Sequence, residues 1–122
     1  MRELTGHKVN GVNDGLAVKS LDVPGHGGAC HRYAITFTTN GSIDNHYAIN
    51  FQDGPIKEVG VNGLTHESLL AILIDRLEGF QGGKYACDDN AEALVNLCAA
   101  QRVLKRRTQV RASRGVEGTH AV

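Results

Sequence analysis

The chain has 122 residues, 41% of them apolar, and its 13 Lys and Arg balance 13 Asp and Glu. That length suits one domain, or a small domain with an attached motif. Zero formal charge excludes a polyelectrolyte coat for nucleic acid, and no stretch approaches the ~18 consecutive apolar residues of a bilayer span.

Large core residues are few: no Trp, one Met, three Phe and three Tyr, beside 15 Gly. A chain of this size buries only roughly 65–70% of its unfolded surface, so oligomerisation is expected to add burial. Cys30, Cys87 and Cys98 show no metal-type pair spacing. Their odd number, with no leader segment, fits a reducing cytoplasm.

The first fifteen residues carry little signal. "LAVKSLDV" at 16–23 reads as a strand and "PGHGG" at 24–28 as a loop. "HRYAITFTT" alternates Tyr33, Ile35 and Phe37 against polar neighbours, the mark of a half-buried strand. Asn40-Gly41 is a hairpin turn signal, and "HYAINF" resumes the alternation at Tyr47, Ile49 and Phe51. After "DGP" at 53–55, "IKEVGV" reads as a further short strand.

Near residues 59–67 the pattern changes to helix. Thr65 is placed as an N-cap and Glu67 favours the dipole of the first turn. Leu70, Leu73, Ile74 and Leu77 form the expected buried stripe, with Leu69 and Ile72 on a second apolar side. Gly79 and Gly82-Gly83 should end this helix. A longer one is expected from Asp88-Asp89, with an apolar face of Cys87, Ala91, Leu94, Leu97, Cys98 and Leu104. The fold expected is α+β: a small antiparallel β region followed by a two-helix antiparallel hairpin that oligomerises. It forms a single domain over 1–122, divided into a β-rich part (1–63), a helical hairpin (64–114) and a tail (115–122).

Charge is unevenly placed. Residues 101–122 hold Arg102, Lys105, Arg106, Arg107, Arg111 and Arg114 against one acid, Glu117. Arg107, Arg111 and Arg114 are spaced four and three apart, on one helix face, where guanidiniums repel unless an anion lies between them. A solvated helix end that complements its dipole would show the same charges. The tail "RGVEGT" brackets Glu117 with two glycines, which suits either a backbone that approaches something closely or a flexible terminus. Phe80 suits base stacking or hairpin core, and Asn90 a base edge, a ribose or a cap. His26, Cys30 and His31 have no second cluster to complete a metal site, and no nucleophile elbow, Walker loop or zinc-protease motif occurs. No catalytic residue, metal or cofactor is therefore expected.

"FQDGPIKEVGVNGLTHESLLAILIDRLEGFQ", "KYACDDNAEALVNL" and "RRTQVRASRGVEGT" together resemble the Acb2/Tad-hairpin superfamily of phage counter-defence proteins. Within it they are most similar to the Thoeris anti-defence sponges of the first type. The resemblance spans about residues 31–120. It implies a non-enzymatic protein in the cytoplasm of an infected bacterial host, binding a cyclic ADP-ribose isomer (glycocyclic ADP-ribose) without cleaving it. Carried to this sequence, the ligand site comprises Phe80, Asn90, Arg107 and Arg111, joined by Arg114 of the arginine face. Some members also hold cyclic trinucleotides, which the resemblance places around Lys57, Gly60 and Asn62. A homo-oligomer is implied, a dimer or a hexamer built from dimers, with no membrane and no nucleic-acid polymer as partner.

Helix geometry tests that site independently. On one straight helix Asn90 and Arg107, seventeen residues apart, stand ~25 Å from each other. No compact nucleotide spans that gap, so a shared ligand requires two chains, with a symmetric dimer holding two equal pockets. Arg107 and Arg111 are both expected to be removable without harm to the fold. The alternative reading is a nucleic-acid-binding module that uses the basic helix end, with binding that weakens steeply with salt.

Overall fold

A computed structural model describes residues 1–9, 11–39 and 42–120. The chain forms two compact units: residues 1–54 with 61–63, and residues 55–60 with 64–122.

The first unit is an antiparallel sheet of β1 (Arg2–Leu4), β2 (Leu16–Ser20), β3 (Arg32–Thr39) and β4 (Ser42–Asn50), in that spatial order. Tyr33 pairs with Ile49, Ile35 with Tyr47 and Val18 with Ile35, so the alternating apolar residues share one face. Tyr33 and Phe51 meet edge to face at 5.8 Å, and Phe37 and Tyr47 at 5.6 Å. The strand expected at 16–23 is present but ends at Ser20. β1, in the segment that carried little signal, is held by pairing with β2. The Asn40-Gly41 turn lies outside the described residues.

Asp22 organises the loop that follows β2. Its carboxylate accepts the backbone N–H groups of His31 (3.0 Å) and Arg32 (3.2 Å). These bonds, that from His31 foremost, hold the carboxyl below its ordinary value of 3.8 by favouring the charged form. The unit closes on Asn62. Its side chain accepts from Asp53 N–H and donates to Asp53 C=O, both at 2.8 Å, while its own N–H donates to Gln52 Oε1 at 2.9 Å. Gly63 then passes so close that a Cβ would sit 2.4 Å from the Phe51 carbonyl carbon.

The second unit is helical. The expected strand "IKEVGV" is instead α1 (Ile56–Val59), a single turn. Pro55, with φ −67°, sets the entry, and Gly60, with φ 76°, stops the helix by donating to Ile56 C=O. The β-branched Ile56 and Val59 suggest a strand, but their two flanking residues impose the turn. α2 (His66–Gln81) starts at the expected cap: Thr65 Oγ1 accepts from Ser68 N–H (3.2 Å), and Thr65 N–H donates to Ser68 Oγ (3.1 Å). It does not end at Gly79. It runs to Gln81, and Gly82 closes it by donating to Glu78 C=O. One glycine costs a helix only ~1 kcal/mol, less than its packed neighbours return.

α3 (Asp88–Ser113) returns antiparallel along α2. Gln101 Nε2 and Thr108 Oγ1, far along α3, reach Glu67 at the start of α2. Shielded positions in steps of three and four run through 67, 70, 74, 77 and 81 on α2 and 90, 94, 97, 101, 104, 108 and 111 on α3, with 69, 80, 98 and 99 shielded beside them. This is a coiled-coil-like seam. Ile74 is its buried centre, at 8% exposure. Leu73 is 46% exposed and lies off the seam. Cys87 and Ala91 are also exposed, and Cys87 serves as the α3 cap, accepting from Asn90 N–H. The expected apolar face was wrong at these three residues; on α3 the reason is that Asn90, Gln101, Thr108 and Arg111 take seam positions, which a search for apolar residues skips.

Candidate anion-binding site

α3 runs unbroken from Asp88 to Ser113. It therefore carries the candidate residues at opposite ends of the hairpin, with Asn90 and Arg107 ~25 Å apart along its axis.

At the far end of α3, Arg107, Arg111 and Arg114 do line one groove, of about 350 Å³, with Arg106, Val103 and Val110. Its apolar lining is unusually open, Val103 being 47% and Val110 51% exposed. A neighbouring groove of about 430 Å³ is lined by Arg102, Lys105 and Arg106 with Cys98, Gln101 and Gln109. The sequence counted these three cations but assigned them no role. The 3.6-residue turn of a helix bearing cations at 102, 105 and 106 would have placed them on this second side.

Within the arginine face the three side chains differ. Arg111 is only 8% exposed. Its Nε–H donates to Glu117 Oε2 at 2.9 Å, and Nη2 donates to the carbonyls of Val116 (3.0 Å) and Thr119 (3.3 Å). Part of the anion that its charge requires is thus supplied by the chain itself. Arg107 stays exposed, and Arg114 caps α3.

The tail is accordingly built, not frayed. Val116 N–H donates to Arg111 C=O at 3.0 Å, and Gly118 C=O accepts from Lys57 N–H at 3.1 Å. Gly118 has φ 79°, and a Cβ there would lie 3.1 Å from Lys57 Cγ. Of the two sequence readings of "RGVEGT", close backbone approach is the one realised, and its target is α1. His120 Nε2 also lies 3.3 Å from Glu58 Oε2 on that turn.

At the turn end, Phe80 is half-buried. The Arg76 guanidinium lies 5.0 Å over its ring, and Tyr85 meets it edge to face at 6.4 Å. Lys84 in turn sits 5.4 Å over Tyr85, which is 65% exposed. Asn90 is half-buried in the first turn of α3. Arg76 and Tyr85 escaped the sequence reading, although Arg76 precedes Phe80 by the four residues that align helix neighbours. Lys57 and Gly60 belong to the helical unit and Asn62 to the sheet unit, where its side chain is occupied in the Asp53 clamp. Among the described residues no group of three His, Cys, Asp or Glu is arranged to hold a metal, and no helix is long and apolar enough to cross a membrane.

Fold and site together define a helical-hairpin domain that follows a four-stranded sheet and gathers its cations at the hairpin's open end. The model of the Acb2/Tad1 hairpin domain matches residues 44–109, more than half of the chain, and the chain belongs to that family. It is also similar to a curated protein named Thoeris anti-defense 1 from Bacillus phage SBSphiJ7, 47% identical over 72 residues. That match covers 59% of this chain and 51% of the relative, so the chain spans about half the length of the protein it resembles. The family match contains Phe80, Asn90 and Arg107 and stops before Arg111, Arg114 and Glu117.

Proposed function

We propose that this protein counters Thoeris immunity in the cytoplasm of an infected bacterium by binding the cyclic ADP-ribose isomer signal and holding it without cleavage. One observation carries the reading. The cationic groove and the aromatic–amide pair lie at opposite ends of one continuous helix, so neither end alone offers a whole nucleotide site. Two hairpins packed antiparallel bring the Arg107 end of one chain to the Phe80–Asn90 end of the other. The exposed valines Val95 (68%), Val103 and Val110 supply an apolar stripe for that packing. A symmetric dimer then holds two equal pockets.

In such a pocket Arg107 and Arg114 face the pyrophosphate, and Arg111 presents the edge that its tail contacts leave at the groove. Charge-assisted bonds contribute ~1.5–3 kcal/mol each. Phe80 stacks on the adenine, worth ~1–3 kcal/mol, and Asn90 bonds a hydroxyl or base edge. Nanomolar capture needs about −12 kcal/mol, which these groups reach only in a pocket already formed before binding. No recognised catalytic motif positions a nucleophile or general base in the sequence, which suits sequestration. Binding of cyclic trinucleotides belongs to the same proposal on family likeness alone.

The test is capture and release. The protein is incubated with cyclic ADP-ribose isomers and cyclic trinucleotides, filtered and heat-denatured, and the released molecules are identified by mass spectrometry. An intact cyclic ADP-ribose isomer is expected. A linear product indicates hydrolysis, and capture of long DNA or RNA in place of small molecules indicates the nucleic-acid module; either overturns the reading.

A further inference from the structure

The tail residue Glu117 has no part in the site as the sequence described it. The structure gives it a 2.9 Å pairing with a guanidinium that is almost withdrawn from solvent. We propose that Glu117 is a positioning residue of the anion site, acting through Arg111; this rests on the proposed function.

Three observations converge on it. First, α3 ends at Ser113, and residues 114–119 turn back so that Val116 N–H and C=O and Thr119 C=O all bond to Arg111. Arg111 is the hub of the turn, and Glu117 is the acid that makes a near-buried guanidinium tolerable there. Second, the same turn is tied to α1 through the Lys57–Gly118 backbone bond, so the hub fixes two chain segments at once. Third, Arg111 and Arg114 both line the cationic groove. The residue that fixes Arg111 therefore fixes one wall of the groove and the cap residue that begins the tail. A carboxylate in this role neutralises Arg111 within the chain, which leaves Arg107 and Arg114 as the exposed cations of the three. Glu117 thus sets where the groove's positive charge is offered, without touching the ligand.

Glu117→Ala and Glu117→Gln separate placement from charge. Glutamine keeps an oxygen to accept from Arg111 Nε–H but removes the negative charge; alanine removes both. Affinity for cyclic ADP-ribose isomers is measured by calorimetry, with circular dichroism as the fold control. The expected order is Gln at or above the parent protein, and Ala weaker by at least tenfold. A residue that matters only for stability lowers the melting temperature and leaves affinity unmoved. Equal affinity of Glu117→Ala and parent overturns the proposal, and so does a Glu117→Gln variant as weak as Glu117→Ala. Failure of the parent protein itself to bind any cyclic ADP-ribose isomer overturns both this proposal and the function on which it rests.

Discussion

Exchanging Arg111 for Met tests whether the cationic end is a solvated helix terminus or a built structure. Methionine keeps the unbranched apolar stem, so what disappears is the guanidinium and its bonds to Glu117, Val116 and Thr119. The magnitude lies between two limits. Breaking one partner from a fully buried pair costs ~3–5 kcal/mol, and an exposed pair contributes ~0–1 kcal/mol. The Arg111 side chain is 10% exposed but Glu117 is 37% exposed, so the stranded carboxylate recovers part of its hydration. About 2–3 kcal/mol is expected, a fall in melting temperature of about 5–15 °C. Arg107→Met, at an exposed position, should shift stability by no more than ~0.5 kcal/mol. Thermal denaturation followed by circular dichroism measures both, and limited proteolysis reports release of the tail. An Arg111→Met variant that melts with the parent protein, its tail cleaved no faster, refutes the argument that this guanidinium organises residues 114–119. Removing Arg107 and Arg111 together, which the sequence alone recommends, mixes a loss of ligand contact with a loss of structure. The single Arg107 variant isolates the contact.

Gly118→Ala should weaken the same clasp by ~1–3 kcal/mol, since alanine at φ 79° is strained and its Cβ would press on Lys57; proteolysis of the tail reads it. Thr65→Ala removes the α2 capping box and should cost ~1 kcal/mol in a urea titration. Ile74→Ala empties the centre of the seam and should cost ~2–4 kcal/mol by the same measurement. Asp22 has a folded pKa held below 3.8, so the stability it contributes is present above its unfolded value and is lost as pH falls through the folded one. The urea midpoint of the parent protein should therefore fall on acidification below about pH 4, and Asp22→Asn should remove that component of the fall.

The parts of the fold that depend on short-range chemistry were legible. Alternation at Tyr33, Ile35 and Phe37 announced β3 because a strand half covered on one face needs it. Thr65 announced α2 because free N–H groups need an acceptor. What was hidden depends on partners distant in sequence. β1 has no pattern of its own and exists by pairing with β2. α1 looks like a strand until Pro55 and Gly60 are weighted above Ile56 and Val59. The register of α3 was misread because its seam holds Asn90, Gln101, Thr108 and Arg111 where apolar residues were sought.

The candidate site divides in the same way. Helix spacing alone puts Arg107, Arg111 and Arg114 on one face, and the groove they line agrees. Spacing cannot show that Arg111 also stands in step with the seam, at the end of the series Asn90, Leu94, Leu97, Gln101, Leu104, Thr108. A cation at a seam position must find an acid or an acceptor nearby, and α2, which starts at His66 alongside Gln101 and Thr108, offers Glu67 to Thr108. The tail supplies what is missing, and this explains why Glu117 is the one acid after residue 100 and why glycines flank it so closely. The excess positive charge of the last turns is thus divided. One guanidinium holds the chain end in place, while Arg107 remains exposed in a groove whose valines are still open. Uncovered apolar surface rimmed by an exposed cation marks an interaction site. It is consistent with a surface that a second hairpin and a small anion complete together.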